Sequence, residues 1–179
     1  EVLQWREQRP DIIYIFSKDI LRHRRAQKED AVWLKKGEEY KDETLSVRAF
    51  GSTDVGVSFL LQAGGKKIFH AGDLNNWHWM DESTEAEWKG AEKNFLHELD
   101  DLYAYTPEVD VAMFPVDPRL GKEYMRGAGQ FVTKIKTHIF VPMHFTPEYA
   151  KANAFRDFAE AHGVRFVSLT HRGQKIEIE

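Results

Sequence analysis

The chain has 179 residues, 42% of them hydrophobic and 30% charged, with 25 Lys and Arg against 29 Asp and Glu and no cysteine. That length and apolar share predict one globular domain, and an aromatic content of 13% with both charges intermixed excludes a disordered chain. Without cysteine there is no disulfide framework, thiolate zinc knuckle, iron–sulfur site or cysteine nucleophile, so any metal must be held by His, Asp, Glu or backbone oxygen. A formal charge of −4 gives no general attraction to nucleic acid or to an anionic membrane. No apolar run approaches the roughly 20 residues of a bilayer span, and no leading segment has the pattern of a secretory signal. The default expectations are a cytoplasmic location and a small-molecule substrate, with no nucleic-acid or membrane partner. Composition is silent on oligomeric state.

Residues 1–9 read as the end of a helix stopped by Pro10, whose ring removes a donor and crowds the preceding turn. Residues 11–16 are almost wholly apolar, which suits a strand buried on both faces, and Ser17 is placed to cap a short helix after it. Arg22, His23, Arg24 and Arg25 form a basic cluster, either a phosphate site or, more plainly, a solvated helix end. From Ala31 to Ile68 the segments AVWLKK, TLSVRAFG, VGVSFLLQ and KIFHAG read as consecutive strands. Gly64 and Gly65 supply the hairpin turn that needs positive φ. Residues 84–104 form an amphipathic helix with Ala86, Phe95, Leu99 and Leu102 toward the core. A buried strand at 109–114, a helix near 126–136, a strand at 138–142, a helix over 147–161 ending at Gly163, and two last strands in RFVSL and KIEIE complete the chain. Hairpins early and βα units late predict a mixed α/β layer fold, with function on the loops at strand ends.

Three of those loops carry more polar residues than turns require. In residues 50–56, Ser52, Thr53 and Asp54 fall between two strands, although turn chemistry accounts for Gly, Ser and Asp equally well. In residues 69–79, a strand delivers Asp73 directly after a glycine, followed by Asn75, Asn76, Trp77, His78 and Trp79. In residues 140–147 a buried strand ends on His144. Asp117 and Arg119 follow another buried strand and face the same rim or, more plainly, form a salt bridge that holds their loop. Strand alternation sends His70 to the face opposite Asp73, as a packing or supporting residue, while His78 is placed to touch substrate. His23, His97, His138, His162 and His171 have no acidic or glycine-rich context and read as surface or structural.

Taken together, GSTDVGVSFLL, KIFHAGDLNNWHW, FPVDPRLG and IFVPMHF, in that order, resemble the metallo-β-lactamase fold hydrolases, in particular a small prokaryotic group of unknown substrate. The resemblance runs from about YIFSKDI onward. It implies a four-layer αββα sandwich with mixed sheets and one or two divalent metal ions at the sheet edge, zinc first and manganese or iron as alternatives. Asp73 would match the acidic ligand that bridges two ions and His144 the last histidine ligand. A carboxylate can join two cations with its two oxygens, and a neutral imidazole adds a ligand without adding charge.

Two departures stand beside the matches. The family's His-x-His-x-Asp-His motif is absent, which implies that this chain is the C-terminal portion of a domain whose first ligands lie upstream of Glu1. Ser52 occupies the place of the family's next histidine ligand, leaving Asp54 as a replacement ligand, a turn cap or a group that orients a ligand. The leading expectation is a metal-dependent hydrolase acting through metal-activated water on an ester, lactam or phosphodiester, with Asp73 and His144 as its catalytic pair. Ser52, Asn75, Trp77, His78, Asp117 and Arg119 would contact substrate or support the ligands. The Trp77 and Trp79 pair favours a substrate with an apolar or planar part, a membrane-facing or core role being the alternative. Two rival readings are a non-catalytic binding module that has lost the metal, and a nucleic-acid processing factor of the same fold.

Overall fold

The computed structural model describes residues 2–22 and 27–177. Helix α1 (Val2–Gln8) stops before Pro10, and the apolar run beyond it contributes strand β1 (Ile15–Ser17), which pairs in parallel with β2 (Val32–Leu34). Pairing extends only as far as this short partner, so β1 is shorter than the apolar run that contains it. Two 3-10 turns, Lys18–Arg22 and Lys28–Asp30, lie between the two strands. Arg22 is exposed, and the rest of the basic cluster, His23, Arg24 and Arg25, lies outside the described residues.

Strands β3 (Glu39–Lys41), β4 (Leu45–Phe50), β5 (Ser58–Ala63) and β6 (Lys66–His70) follow as an antiparallel meander. Gly64 and Gly65, at φ +56° and +77°, close the hairpin between β5 and β6 as expected. The chain then alternates through α2 (Glu85–Tyr105), β7 (Glu108–Pro115), α3 (Arg126–Lys134), β8 (Lys136–Met143), α4 (Tyr149–Asn153), α5 (Arg156–Ala161) and β9 (Arg165–Phe166). Thr84 caps α2 in a reciprocal box: its hydroxyl accepts from the Glu87 N–H and its own N–H donates to the Glu87 carboxylate. Phe95, Leu99 and Leu102 of α2 are fully buried, whereas Ala86, expected beside them, is exposed on the helix's first turn.

The seven strands β3 to β9 form one sheet in sequence order, antiparallel as far as β6 and parallel from β6 to β9. Alternation along β6, β7 and β8 sends Phe69, Ala112, Phe114 and Phe140 toward the helices, where they meet Leu99, Phe131 and Phe155. Ile68, Val111, Met113, Ile139 and Val141 line the other face, against Val167, Leu169 and Ile176. The fold is therefore the expected mixed α/β class. Of the four layers expected, the described residues contain the large sheet, its helix layer and a two-stranded parallel ribbon.

Two boundaries differ from expectation. The helix expected over 147–161 is broken into α4 and α5, and beyond β9 no further strand forms among the described residues. The Asn153 amide donates to the Leu169 carbonyl and accepts from its N–H, at 2.8 and 3.1 Å, taking up backbone groups that another strand would have paired.

Because β6, β7 and β8 run the same way in register, their C-terminal ends share one edge. His70 pairs with Met113, and Pro115 with Met143. The antiparallel β5 begins at the same edge, with Phe59 opposite His70. The loops carrying Ser52 to Gly56, Asp73 to Trp79, Asp117 to Arg119, and His144 thus emerge together, where parallel sheets place their ligands.

Candidate metal centre

At that edge Asp73 and His144 converge. The His144 imidazole lies between two carboxylates, with Nδ1 2.9 Å from Asp117 Oδ2 and Nε2 3.4 Å from Asp73 Oδ1. Asp117 is only 1% exposed, while the Asp73 and His144 side chains are 37% and 33% exposed, so the first anchors the site and the other two open to solvent. A buried carboxylate without partners is costly. Asp117 has several: Arg119 donates from its backbone N–H at 3.0 Å, from Nε to both oxygens at 3.0 Å, and from Nη2 at 2.5 Å. Burial works to raise the Asp117 pKa, but the bonds from Arg119 and His144 outweigh it and hold the carboxyl below its ordinary range. The salt bridge and the rim placement expected for this pair are one arrangement.

An ionised Asp117 can only accept, so His144 gives it the Nδ1 proton and turns Nε2 toward Asp73. Arg119 Nη2, at 3.4 Å from Nδ1, is the longer and weaker competitor. A lone pair facing a carboxylate oxygen calls for a second proton or a cation between them. The 3.4 Å separation equals the edge of a coordination tetrahedron with bonds of about 2.0–2.1 Å. A buried carboxylate on the remote nitrogen is also the usual support of a metal-bound histidine. The pair therefore fits two ligands of a divalent ion. Among the described residues no third His, Asp or Glu completes the set.

Backbone geometry aims both groups. His144 sits at φ +67°, in the left-handed region that costs a non-glycine residue about 1 kcal/mol or more, and so leaves the line of β8. Before Asp73, Gly72 turns the chain at φ +57°, where a Cβ would stand 2.9 Å from the Val57 carbonyl oxygen. The strand ends before this turn, and its last residue, His70, supports the turn as expected: its Nδ1 accepts from the Gly72 N–H at 3.1 Å, and its ring lies close enough to feel the Asp73 charge.

The other expected residues support the loops. Thr53 Oγ1 donates to the Asn75 carbonyl and accepts from the Asn75 N–H, joining the loop before β5 to the loop after β6. Asn75 is fully buried, and its Oδ1 accepts from the Asn76 N–H at 2.9 Å. His78 is 1% exposed, with Nδ1 accepting from the Met80 N–H and Nε2 donating to the Glu123 carbonyl, so it braces the loop and does not face substrate. Ser52 Oγ accepts from the Asp54 N–H at 3.3 Å, and Asp54 is exposed on this turn and forms no ligand set with Asp73 and His144. Trp77 donates from Nε1 to the Asp73 carbonyl at 2.8 Å, and its ring stands edge-on to His144 with centroids 5.3 Å apart.

Three contributors were invisible in the sequence. Glu92 of α2 and Gln130 of α3 both accept from the Asn76 side-chain amide at 2.9 Å, and Arg126 holds Glu92 through Nε and Nη2 at 2.5 and 3.1 Å. These residues look like ordinary helix-surface polar groups. The available signal was Gly127, where a Cβ would collide with Asn75 Oδ1.

No protein-family model matches the sequence, and no curated protein does either. Solved structures do match. Igni18, a metallo hydrolase of the archaeon Ignicoccus hospitalis, is 16% identical with a TM-score of 0.61, over 93% of this chain and 69% of that one. A protein of Parabacteroides distasonis assigned as a metal-dependent hydrolase is 15% identical with a TM-score of 0.60, over 88% of this chain and 64% of that one. CmlA of Streptomyces venezuelae, a diiron β-hydroxylase, is 14% identical with a TM-score of 0.52, over 85% of this chain and 35% of that one. The chain thus spans less than two thirds of the length of the Parabacteroides protein. These likenesses show that the chain shares the mixed α/β fold of those solved structures.

Proposed function

We propose that this chain supplies part of the metal centre of a hydrolase that acts on a small molecule of the ester, lactam or phosphodiester type. The observation that carries the reading is His144, presented by the buried Asp117 with Nε2 3.4 Å from Asp73 Oδ1. A divalent cation, zinc first among those that suit His and carboxylate donors, supplies a water acidic enough to give hydroxide near neutral pH and a positive charge for the developing oxyanion. This chain's residues do the rest. Asp117 keeps His144 in the Nδ1–H form, and Arg119 keeps Asp117 ionised. Asp73 offers one oxygen beside His144 and has a second that can join another cation or take a proton. Further ligands would come from water or from the substrate.

The test is zinc content and hydrolysis of p-nitrophenyl acetate and bis(p-nitrophenyl) phosphate by the full-length protein. Asp73→Ala and His144→Ala are each expected to lose bound zinc and activity together, and unchanged zinc binding in both would overturn the assignment. The rival reading, a binding module without metal, draws on Ser52 and on the lack of a third converging ligand among the described residues. It requires a full-length protein that binds no divalent ion.

A further inference from the structure

We propose that Trp77 is the positioning residue of this centre, one side chain that sets where both Asp73 and His144 stand. The inference rests on the metal reading above and adds a residue to it. Trp77 lies four residues after Asp73, and its indole N–H reaches back to the Asp73 carbonyl at 2.8 Å. The Leu74 N–H already donates to the Ala71 carbonyl at 2.9 Å, so the short segment bearing Asp73 is tied on both sides. The same indole ring packs on His144 at 5.3 Å between centroids and 61° between planes, an edge-to-face arrangement. Asp117 fixes one nitrogen of His144 but leaves the ring free to swing about that bond, and the Trp77 ring blocks the swing. Trp79 stacks behind Trp77 at 6.4 Å and 16°, keeping the indole in place. One rigid side chain thus touches both the Asp73 backbone and the His144 ring, so a shift of either loop is transmitted to the other.

The two contacts separate by mutation. Trp77→Phe keeps a ring against His144 and removes the N–H to Asp73, whereas Trp77→Ala removes both. In the full-length protein, zinc affinity measured by competition with a chelator is expected to fall about tenfold for Trp77→Phe and about a hundredfold for Trp77→Ala, the range found for groups that support metal ligands. The visible spectrum of the cobalt-substituted Trp77→Phe protein should shift, since donor geometry changes. Far-UV circular dichroism of the metal-free protein should stay as in the wild type, a combination that a merely structural tryptophan would not produce. Wild-type zinc affinity and cobalt spectrum in Trp77→Phe, with zinc lost in Asp73→Ala and His144→Ala, would overturn the role of Trp77 and leave the metal centre standing. Zinc retained in Asp73→Ala and His144→Ala would remove both.

Discussion

The two ends of the seven-stranded sheet are built from the same strands and differ in where their bonds go. At the end away from the centre, Asp42 accepts from the N–H groups of Thr44 and Leu45 at 2.7 and 3.0 Å and from the Thr44 hydroxyl at 2.7 Å, all within its own turn. At the other end, Asp117 joins its own loop to the end of β8, Thr53 joins the loop before β5 to the loop after β6, and Trp77 touches Asp73 and His144 together. Both aspartates are held below the ordinary carboxylate range, Asp42 down to about 2 by the bonds of its turn. A depressed carboxylate therefore does not mark a site. What marks it is that the partners come from distant parts of the chain and leave a donor atom facing solvent.

Glycine gives the sharpest way to break this contrast. Gly64 and Gly72 have nearly the same backbone, φ +56° and +57°, at opposite ends of β6. A Cβ at Gly64 meets nothing within 4 Å, so Gly64→Ala is expected to cost only the left-handed backbone penalty, about 1 kcal/mol. At Gly72 the Cβ also meets the Val57 carbonyl oxygen at 2.9 Å, and backbone cannot move as a side chain does. Gly72→Ala should therefore cost roughly 3 kcal/mol and displace Asp73. Denaturant unfolding of the two variants measures the difference. Equal losses would mean that the two ends are equally open and that the crowding at Gly72 has no energetic weight.

The aspartates give the next test. Asp117→Ala frees the His144 ring and lets it take the other tautomer, with an expected loss of about 10- to 100-fold in zinc affinity. Asp42→Ala should leave zinc affinity as it is, because every bond Asp42 makes closes its own turn and the hydroxyl of Tyr40 beside it. Chelator competition on both variants of the full-length protein separates local from non-local anchoring. Similar affinities in the two would show that His144 needs no carboxylate behind it.

The same distinction explains what the sequence made legible. The meander, the βα alternation and the α2 core residues Phe95, Leu99 and Leu102 follow from local periodicity, as do the turn glycines at the hairpin. Asp73 and His144 were legible because each lies just beyond a strand that the pattern already defined. Asp117 was visible as a rim residue, but its grip on His144 spans 27 positions and depends on the β7–β8 register. His78 was misplaced because a histidine between two tryptophans on a loop reads as exposed, whereas both of its nitrogens bond to backbone inside the protein. β3 went unnoticed because a three-residue edge strand with a single apolar residue, Tyr40, has no period to read.

Acid gives a smaller effect from the same network. The bond from Arg126 is the main reason that Glu92 sits at about 2. Burial opposes it, and the contacts with Gln130 and Asn76 add to it. A depressed carboxylate stabilises the fold fully above its ordinary value of 4.5, and that contribution is lost as pH falls through about 2. Unfolding midpoints should therefore fall between those values, and Glu92→Gln should flatten that part of the profile. The variant should also loosen the loop bearing Asp73, since Asn76 hangs from Glu92 and Gln130. An unchanged profile in Glu92→Gln would mean that Arg126 finds other company and that the loop is held from the Thr53 side alone.

The smallest expected effect falls on Asp54, which sequence reading offered as a replacement for the missing histidine ligand. It is exposed on a turn closed by its own N–H to Ser52, and its carboxylate forms no ligand set with Asp73 and His144. By the rule that separates the two ends of the sheet, it behaves like Asp42 although it lies at the edge where the centre forms. Asp54→Ala is accordingly expected to leave zinc affinity and the unfolding midpoint at wild-type values. A tenfold loss of zinc affinity would mean that the loop before β5 moves Asp54 in when a cation binds. Proximity along one sheet edge would then be enough to recruit a ligand that makes no long-range bond beforehand.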